Sequence, residues 1–248
     1  GETHAGYTSM WGGFAEYGLV TDVPALLADE PDATPNNYTR FQLAVPKELG
    51  ISPADATTLI TLKETASYVA SIGVGLYSSV LVLGSGSVGI SMLIFTKIFG
   101  AYPAIMVGRR DEPLAYAKER IGADATINCS DTDVIAAVRE LTDGKGVDRI
   151  IDTTGSAEFL NDCLPCLTEE GKAAAYATYD RTKTVGATVD QDRLITGRTG
   201  EDDAHQYLLD AVKLGLLDLS AFYSHKMPFE KISEGFDMLA RKEAFKVV

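Results

Sequence analysis

Cysteine and histidine, the side chains that most often hold metals, number only three each in a chain of 248 residues. So few cysteines exclude a disulfide framework and point to a reducing cytoplasm. Two of them fall in Cys163-Leu164-Pro165-Cys166, inside an apolar run from Phe159 to Leu167 that reads as a helix. A packed helical face is therefore expected there, rather than a redox pair or half of a zinc site. Long apolar runs are missing as well. Stretches such as Met92 to Phe95 or Ile105 to Val107 fall far below the ~20 residues needed to span a bilayer, so no membrane segment is expected. Positive charge is scarce: Lys and Arg total 22 against 35 Asp and Glu, a net charge of -13. Such a body repels nucleic-acid backbones and anionic membrane surfaces, and no basic stripe offsets it. The chain opens on Gly1 with no charged n-region and apolar h-region behind it, so a secretory signal is not expected, while a segment upstream is.

What remains is enough to build a substantial core. Hydrophobic residues make up 46 % and mean hydropathy is +0.02, the profile of one or two ordinary globular domains. Residues 1 to 48 are rich in Gly, Pro, Asp and Thr, with strand-like alternation in Phe14 to Val20 and Tyr38 to Val45; irregular β structure is expected. Ser52 followed by Pro53 is a helix start, and helical spacing resumes over Glu64 to Ile72. After Gly75 apolar runs alternate with helical patterns. Strands are expected at Val80 to Leu83, Ala104 to Val107, Ala125 to Ile127, Val147 to Ile151 and Ala173 to Ala177, and helices at Val88 to Phe99, Pro113 to Ile121, Asp133 to Leu141 and Ala157 to Leu167. That order builds an α/β fold with a doubly wound parallel sheet. Helices over Asp202 to Leu214 and Phe229 to Leu239, then a short strand at Phe245 to Val248, complete the chain.

The chemistry sits at the first strand of this alternation. Gly84-Ser85-Gly86-Ser87-Val88-Gly89 follows Val80 to Leu83 directly and opens a helix. In that context the glycines cradle a pyrophosphate: Gly84 for the turn, Gly86 for close approach of phosphates, Gly89 for helix-to-strand packing, with unpaired N–H donors at the helix start. Dinucleotide sites selective for NAD carry an acid about 20 residues on, bonded to the adenosine ribose. That place is taken by Gly108, and Arg109 and Arg110 follow. Loss of the acid removes repulsion against a 2′-phosphate, and guanidinium forks match one. NADP(H) is thus expected over NAD(H). Thr153 and Thr154, ending the fourth strand at the carboxyl edge of the sheet, are expected to border the ribose and nicotinamide, and Ala177 to Tyr179 ends the fifth strand at the same edge.

These motifs, together with Gly12-Gly13-Phe14-Ala15-Glu16-Tyr17, Leu141 to Asp148 and Pro228 to Asp237, give a chain that resembles the medium-chain, zinc-type alcohol dehydrogenases, the group with sorbitol, threonine and archaeal glucose dehydrogenases. The resemblance implies a Rossmann domain with the remnant of a GroES-like β catalytic domain: residues 1–50 as its C-terminal part, 51–215 as the NADP-binding domain, 216–248 as the segment returning to it. It implies hydride transfer between NADP(H) and an alcohol or polyol, or the matching aldehyde or ketone, by a homo-oligomer in the cytoplasm. It also places Lys246 near the cofactor pyrophosphate.

The same resemblance exposes a gap. Most of the family's N-terminal barrel, with a Cys and a His that bind zinc, has no counterpart, nor has the structural zinc lobe. The third ligand position falls at Leu59, Ile60 or Thr61, none of which suits a tetrahedral zinc site; Glu64 lies one turn further on. No metal site and no catalytic residue is assigned. His205 and His225 are expected to be structural, and His4 has no role that can be read. A nucleotide-binding module without turnover, or a zinc-independent reductase, stands as the alternative.

Overall fold

A computed structural model describes residues 22–35, 43–197, 200 and 204–248. The chain divides into two compact units, residues 1–43 and 44–248. The strand-like stretch Phe14 to Val20, the Gly12 to Tyr17 motif and His4 lie outside the described residues, as does most of Tyr38 to Val45.

In the first unit, helix α1 (Val23–Asp29) stands where irregular β structure was expected. Asp22 accounts for it. Its carboxylate accepts the Ala25 amide at 3.1 Å and a proline follows at the helix start, so cap and fixed φ together set the first turn.

The second unit opens with the short α2 (Pro53–Ala56), capped by Ser52, whose Oγ accepts the Asp55 amide at 3.1 Å, and α3 (Leu59–Ser71). A regular alternation follows: β1 (Val80–Leu83), α4 (Ser87–Ile98), β2 (Ala104–Gly108), α5 (Asp111–Tyr116), β3 (Ala125–Asn128), α6 (Val134–Leu141), β4 (Val147–Asp152), α7 (Ala157–Cys163), β5 (Leu167–Ala175), β6 (Leu194–Ile195), α8 (His205–Lys213) and α9 (Ile232–Ala240). The six strands form one parallel sheet in the order β3-β2-β1-β4-β5-β6. This is the doubly wound fold expected. Chain direction reverses its lateral progress between β1 and β4, and the crevice at the carboxyl end of that pair is where such sheets bind ligands.

Both faces of the sheet are covered. Val80 and Val82 of β1 pack with Ala104 and Met106 of β2 into a core shared with α3, α4 and α8. Leu81 and Leu83 pack with Ile105 and Val107 into a second core shared with α6 and α7. Alternate residues thus serve opposite layers, and every residue of β1 and β2 is buried.

Four expectations need adjustment. Helix α7 ends at Cys163, and Leu164–Cys166 forms a 3-10 turn, because Pro165 has no amide hydrogen with which to continue an α-helix. The fifth strand begins at Leu167 rather than Ala173, its polar residues Glu169 and Glu170 remaining exposed beside an irregularity in its pairing with β4. The helix expected to run to Ile121 changes from α5 to a π-helical turn, Ala117–Ile121. Phe245 to Val248 forms no regular strand: His225 and Val247 make a single parallel bridge, supported by the Met227 amide bonding to the Val248 carbonyl at 2.9 Å.

Candidate functional site

The glycine loop sits at the carboxyl end of β1, tied to β2 by the Gly84 amide, which donates to the Val107 carbonyl at 2.9 Å. Each glycine in it answers a different demand. Gly84 has φ +103°, and a Cβ there would lie 2.6 Å from Thr153 Oγ1. At Gly89 a Cβ would lie 1.8 Å from the Gly84 carbonyl oxygen, so helix and loop can touch only because no side chain intervenes. Gly86 is different. A Cβ there meets nothing within 4 Å, so the chain itself gives no packing reason for glycine at this exposed point, and the clearance suits an approaching phosphate. Helix α4 starts immediately after, with Gly86 as an N-cap that has no side chain to offer. Its first-turn amides therefore face the crevice uncapped, the electrostatic setting for an anion. Ser87 and Val88 make that first turn, both partly exposed.

Thr153 locks this loop to the end of β4: its hydroxyl donates to the Leu83 carbonyl at 2.8 Å. Next to it is Asp152, a fully buried carboxyl group that pattern reading passed over. Oδ1 accepts from the amide and hydroxyl of Thr154 at 3.1 and 2.7 Å, and Oδ2 accepts from the Tyr179 hydroxyl at 2.5 Å and the Gly155 amide at 3.3 Å. Burial, with the adjoining carboxyl group, holds the Tyr179 phenol protonated far above its ordinary range. The signal was present in the sequence as an acid following directly on the apolar pair Ile150 and Ile151 at the end of the strand. Thr153 and Thr154 thus stand beside the glycine loop, their own hydroxyls spent on holding the edge of the sheet together.

At the end of β2 the position of the missing acid is crowded by Ser85 and Leu114. A Cβ on Gly108 would lie 2.4 Å from Ser85 Oγ, 2.9 Å from Ser85 Cβ and 3.1 Å from Leu114 Cδ2. The two arginines that follow separate in role. Arg110 donates from Nη1 to the Lys242 carbonyl at 2.7 Å. Arg109 is exposed, and its guanidinium has no hydrogen-bond partner among the described residues; only its carbonyl is used, accepting from Ser130 Oγ at 3.2 Å. Lys246 lies in the tail with its ammonium 5.4 Å from the centre of the Phe222 ring, and burial lowers its pKa. The loop, Thr153, Thr154, Gly108 and Arg109 come together at one crevice; for Lys246 the contact found is with Phe222.

The zinc position offers no ligand. Leu59 is buried in the core, Ile60 is 62 % exposed, and Thr61 gives its carbonyl to the Thr65 hydroxyl at 2.9 Å. Glu64 follows on α3. Among the described residues no three His, Cys, Asp or Glu side chains are grouped to hold a metal. His205 Nε2 lies 2.9 Å from the Ala44 carbonyl, a structural contact, and His225 Nδ1 lies 3.0 Å from Ser224 Oγ.

A profile of the zinc-binding dehydrogenases matches residues 87–200. The chain is 29 % identical to the L-threonine 3-dehydrogenase of Pyrococcus horikoshii over 179 residues, covering 68 % of this chain and 50 % of that protein. It is 31 % identical over 181 residues to class-2 alcohol dehydrogenase isozyme 2 of Oryctolagus cuniculus, covering 69 % and 47 %. The chain belongs to the medium-chain zinc-type alcohol dehydrogenase family. In fold it superposes on an alcohol dehydrogenase from Thermus sp. ATN1 with a TM-score of 0.71 at 24 % identity, over 79 % of this chain and 58 % of that one. This family member spans about half the length of the curated relatives it matches. No described helix is long and apolar enough to cross a membrane.

Proposed function

We propose that the chain is the nucleotide-binding part of an NADP(H)-dependent oxidoreductase that moves a hydride between the nicotinamide and a small alcohol or polyol, or the matching aldehyde or ketone. The observation that carries the cofactor choice is at Gly108: glycine leaves no carboxylate to meet the ribose, a side chain there would press on Ser85 and Leu114, and the Arg109 guanidinium, without a hydrogen-bond partner among the described residues, follows directly. An overall charge of -13 makes such a local cation necessary if the chain is to hold a ligand with several phosphates.

NADP(H), when bound, supplies the hydride chemistry itself. The work of this chain is placement. Uncapped amides of the first turn of α4 receive the pyrophosphate, with Gly86 leaving it room. Arg109 faces the 2′-phosphate, and Arg110 joins it at the rim from its anchorage on Lys242. Thr153, Thr154 and the Asp152–Tyr179 hydrogen bond fix the far side of the crevice, where the nicotinamide end lies in a sheet of this topology. In sequence, residues 1–50 come before the cofactor domain, 51–215, as the C-terminal part of a GroES-like catalytic domain, and residues 216–248, which include Lys246, come after it as the segment returning to that domain. A cytoplasmic homo-oligomer fits the acidic composition and the family.

Leucine, isoleucine and threonine at positions 59 to 61 cannot complete a tetrahedral zinc site. That same observation favours a second reading, a zinc-independent reductase or a module that binds NADP(H) without turning it over. Titration with NADPH and NADH by nicotinamide fluorescence, followed by a turnover screen with aldehydes, ketones and polyols in the presence of a chelator, tests both. Tighter binding of NADH defeats the cofactor assignment; NADPH binding with no turnover in any context favours the module.

A further inference from the structure

The residue that crowds the acid's position is Ser85, the second of the glycine loop. A side chain at 108 would begin 2.4 Å from its Oγ and 2.9 Å from its Cβ. Ser85 therefore stands in the space that a ribose-binding carboxylate has to cross. This neighbourhood is set by backbone, since the Gly84 amide is bonded to the Val107 carbonyl at 2.9 Å and β1 and β2 run in fixed register from Val80 beside Ala104 to Leu83 beside Val107. Ser85 is only partly buried, and its hydroxyl makes no hydrogen bond with any described residue. A free donor thus takes the place of an acceptor, one residue from the free guanidinium of Arg109.

Resting on the NADP(H) reading above, we propose that Ser85 is a specificity-determining residue of the adenosine end. Its hydroxyl donates to an oxygen of the 2′-phosphate, and its bulk keeps position 108 from accepting an acid. The two effects are linked through one side chain. A carboxylate accepts hydrogen bonds and repels a phosphate, whereas a serine hydroxyl donates one without adding charge. Cofactor choice in this chain is accordingly distributed over two loops, and changing Gly108 alone does not reverse it.

The test uses the whole chain and four probes: NADPH, NADH, 2′,5′-ADP and 5′-AMP. Ser85→Ala is expected to weaken NADPH and 2′,5′-ADP about ten-fold, the scale of one hydrogen bond to a charged group at a partly exposed site, with NADH and 5′-AMP within about two-fold. Gly108→Asp alone is expected to bind neither dinucleotide well, and Ser85→Gly with Gly108→Asp to regain NADH binding, so that the two changes are strongly non-additive. Thermal melting of each variant separates lost binding from lost folding. The proposal is overturned if Ser85→Ala leaves 2′,5′-ADP affinity unchanged in a chain that prefers NADPH, or if Gly108→Asp alone converts the preference. Wild-type protein that binds NADH tighter than NADPH overturns the cofactor reading itself, and shows this before any substitution is made.

Discussion

The hydroxyl of Tyr179 donates to Oδ2 of Asp152 at 2.5 Å, closing a set of four hydrogen bonds around a carboxyl group with no solvent exposure. Burying such a group is tolerable only when its oxygens are all engaged. The pair joins the end of β4 to the segment after β5, tying two strand ends together at the carboxyl edge of the sheet. Removing the donor with Tyr179→Phe is expected to cost about 1 to 2 kcal/mol in urea-induced unfolding, and Asp152→Ala about 3 kcal/mol because it strands several donors at once. A Tyr179→Phe variant as stable as the parent rejects this account of the edge.

Burial pushes the Cys163 thiol from an ordinary 9.0 up to about 12 and that of Cys166 up to about 11. Both stay protonated at neutral pH, which argues for packing and against redox work. In the unfolded chain they ionise near the ordinary value, so the stabilisation they reflect is complete below pH 9.0 and is lost as pH rises toward 12. A thiol reagent at pH 8 is expected to titrate Cys129, which is half-buried, and to reach the other two only after denaturant is added. Rapid native-state labelling of all three rejects the prediction.

Much of this was legible beforehand for a physical reason. In a sheet covered on both faces, β1 and β2 appear as short wholly apolar runs, and Gly84, Gly86 and Gly89 sit at a spacing with few other uses. Three-dimensional information was needed elsewhere. Leu194 and Ile195 make an edge strand of two residues, too short to carry a period. Arg109 and Arg110 look alike in sequence, and only the fold brings the Lys242 carbonyl to one of them. Asp152 at the end of β4, a strand that also carries Asp148 and Arg149, is ambiguous until Tyr179, 27 residues on, is placed against it.

Gly86 and Gly89 separate function from packing within one loop. Alanine at 89 would set a methyl carbon 1.8 Å from the Gly84 carbonyl oxygen, so helix and loop must part. Gly89→Ala is therefore expected to lower stability by about 2 kcal/mol or more. Gly86 has φ -81°, ordinary for any residue, and open space around its Cβ position. Gly86→Ala should fold like the parent while losing NADPH and NADH affinity alike, because on the proposed reading the methyl group takes the space given to both pyrophosphates. Unchanged dinucleotide binding by a well-folded Gly86→Ala protein removes the phosphate from this loop.

The arginines differ in what each must give up to meet a ligand. Among the described residues the Arg109 guanidinium has no hydrogen-bond partner to release, whereas Arg110 already holds the Lys242 carbonyl at 2.7 Å. A guanidinium that is free and exposed engages a 2′-phosphate at no cost beyond its own ordering, so Arg109→Ala is expected to weaken NADPH by about ten-fold or more. Arg110→Ala should cost less in NADPH affinity and show its effect in the C-terminal turn, as faster amide exchange around Lys242. A 2′-phosphate held by Arg109 would form an exposed ion pair, and raising ionic strength from about 0.01 to 0.15 M shortens the screening length from about 30 to 8 Å. NADPH affinity of the parent should then fall more steeply than NADH affinity, and the excess slope should disappear in Arg109→Ala. Parallel salt dependences for the two cofactors in the parent chain mean that no extra phosphate is being held at this turn.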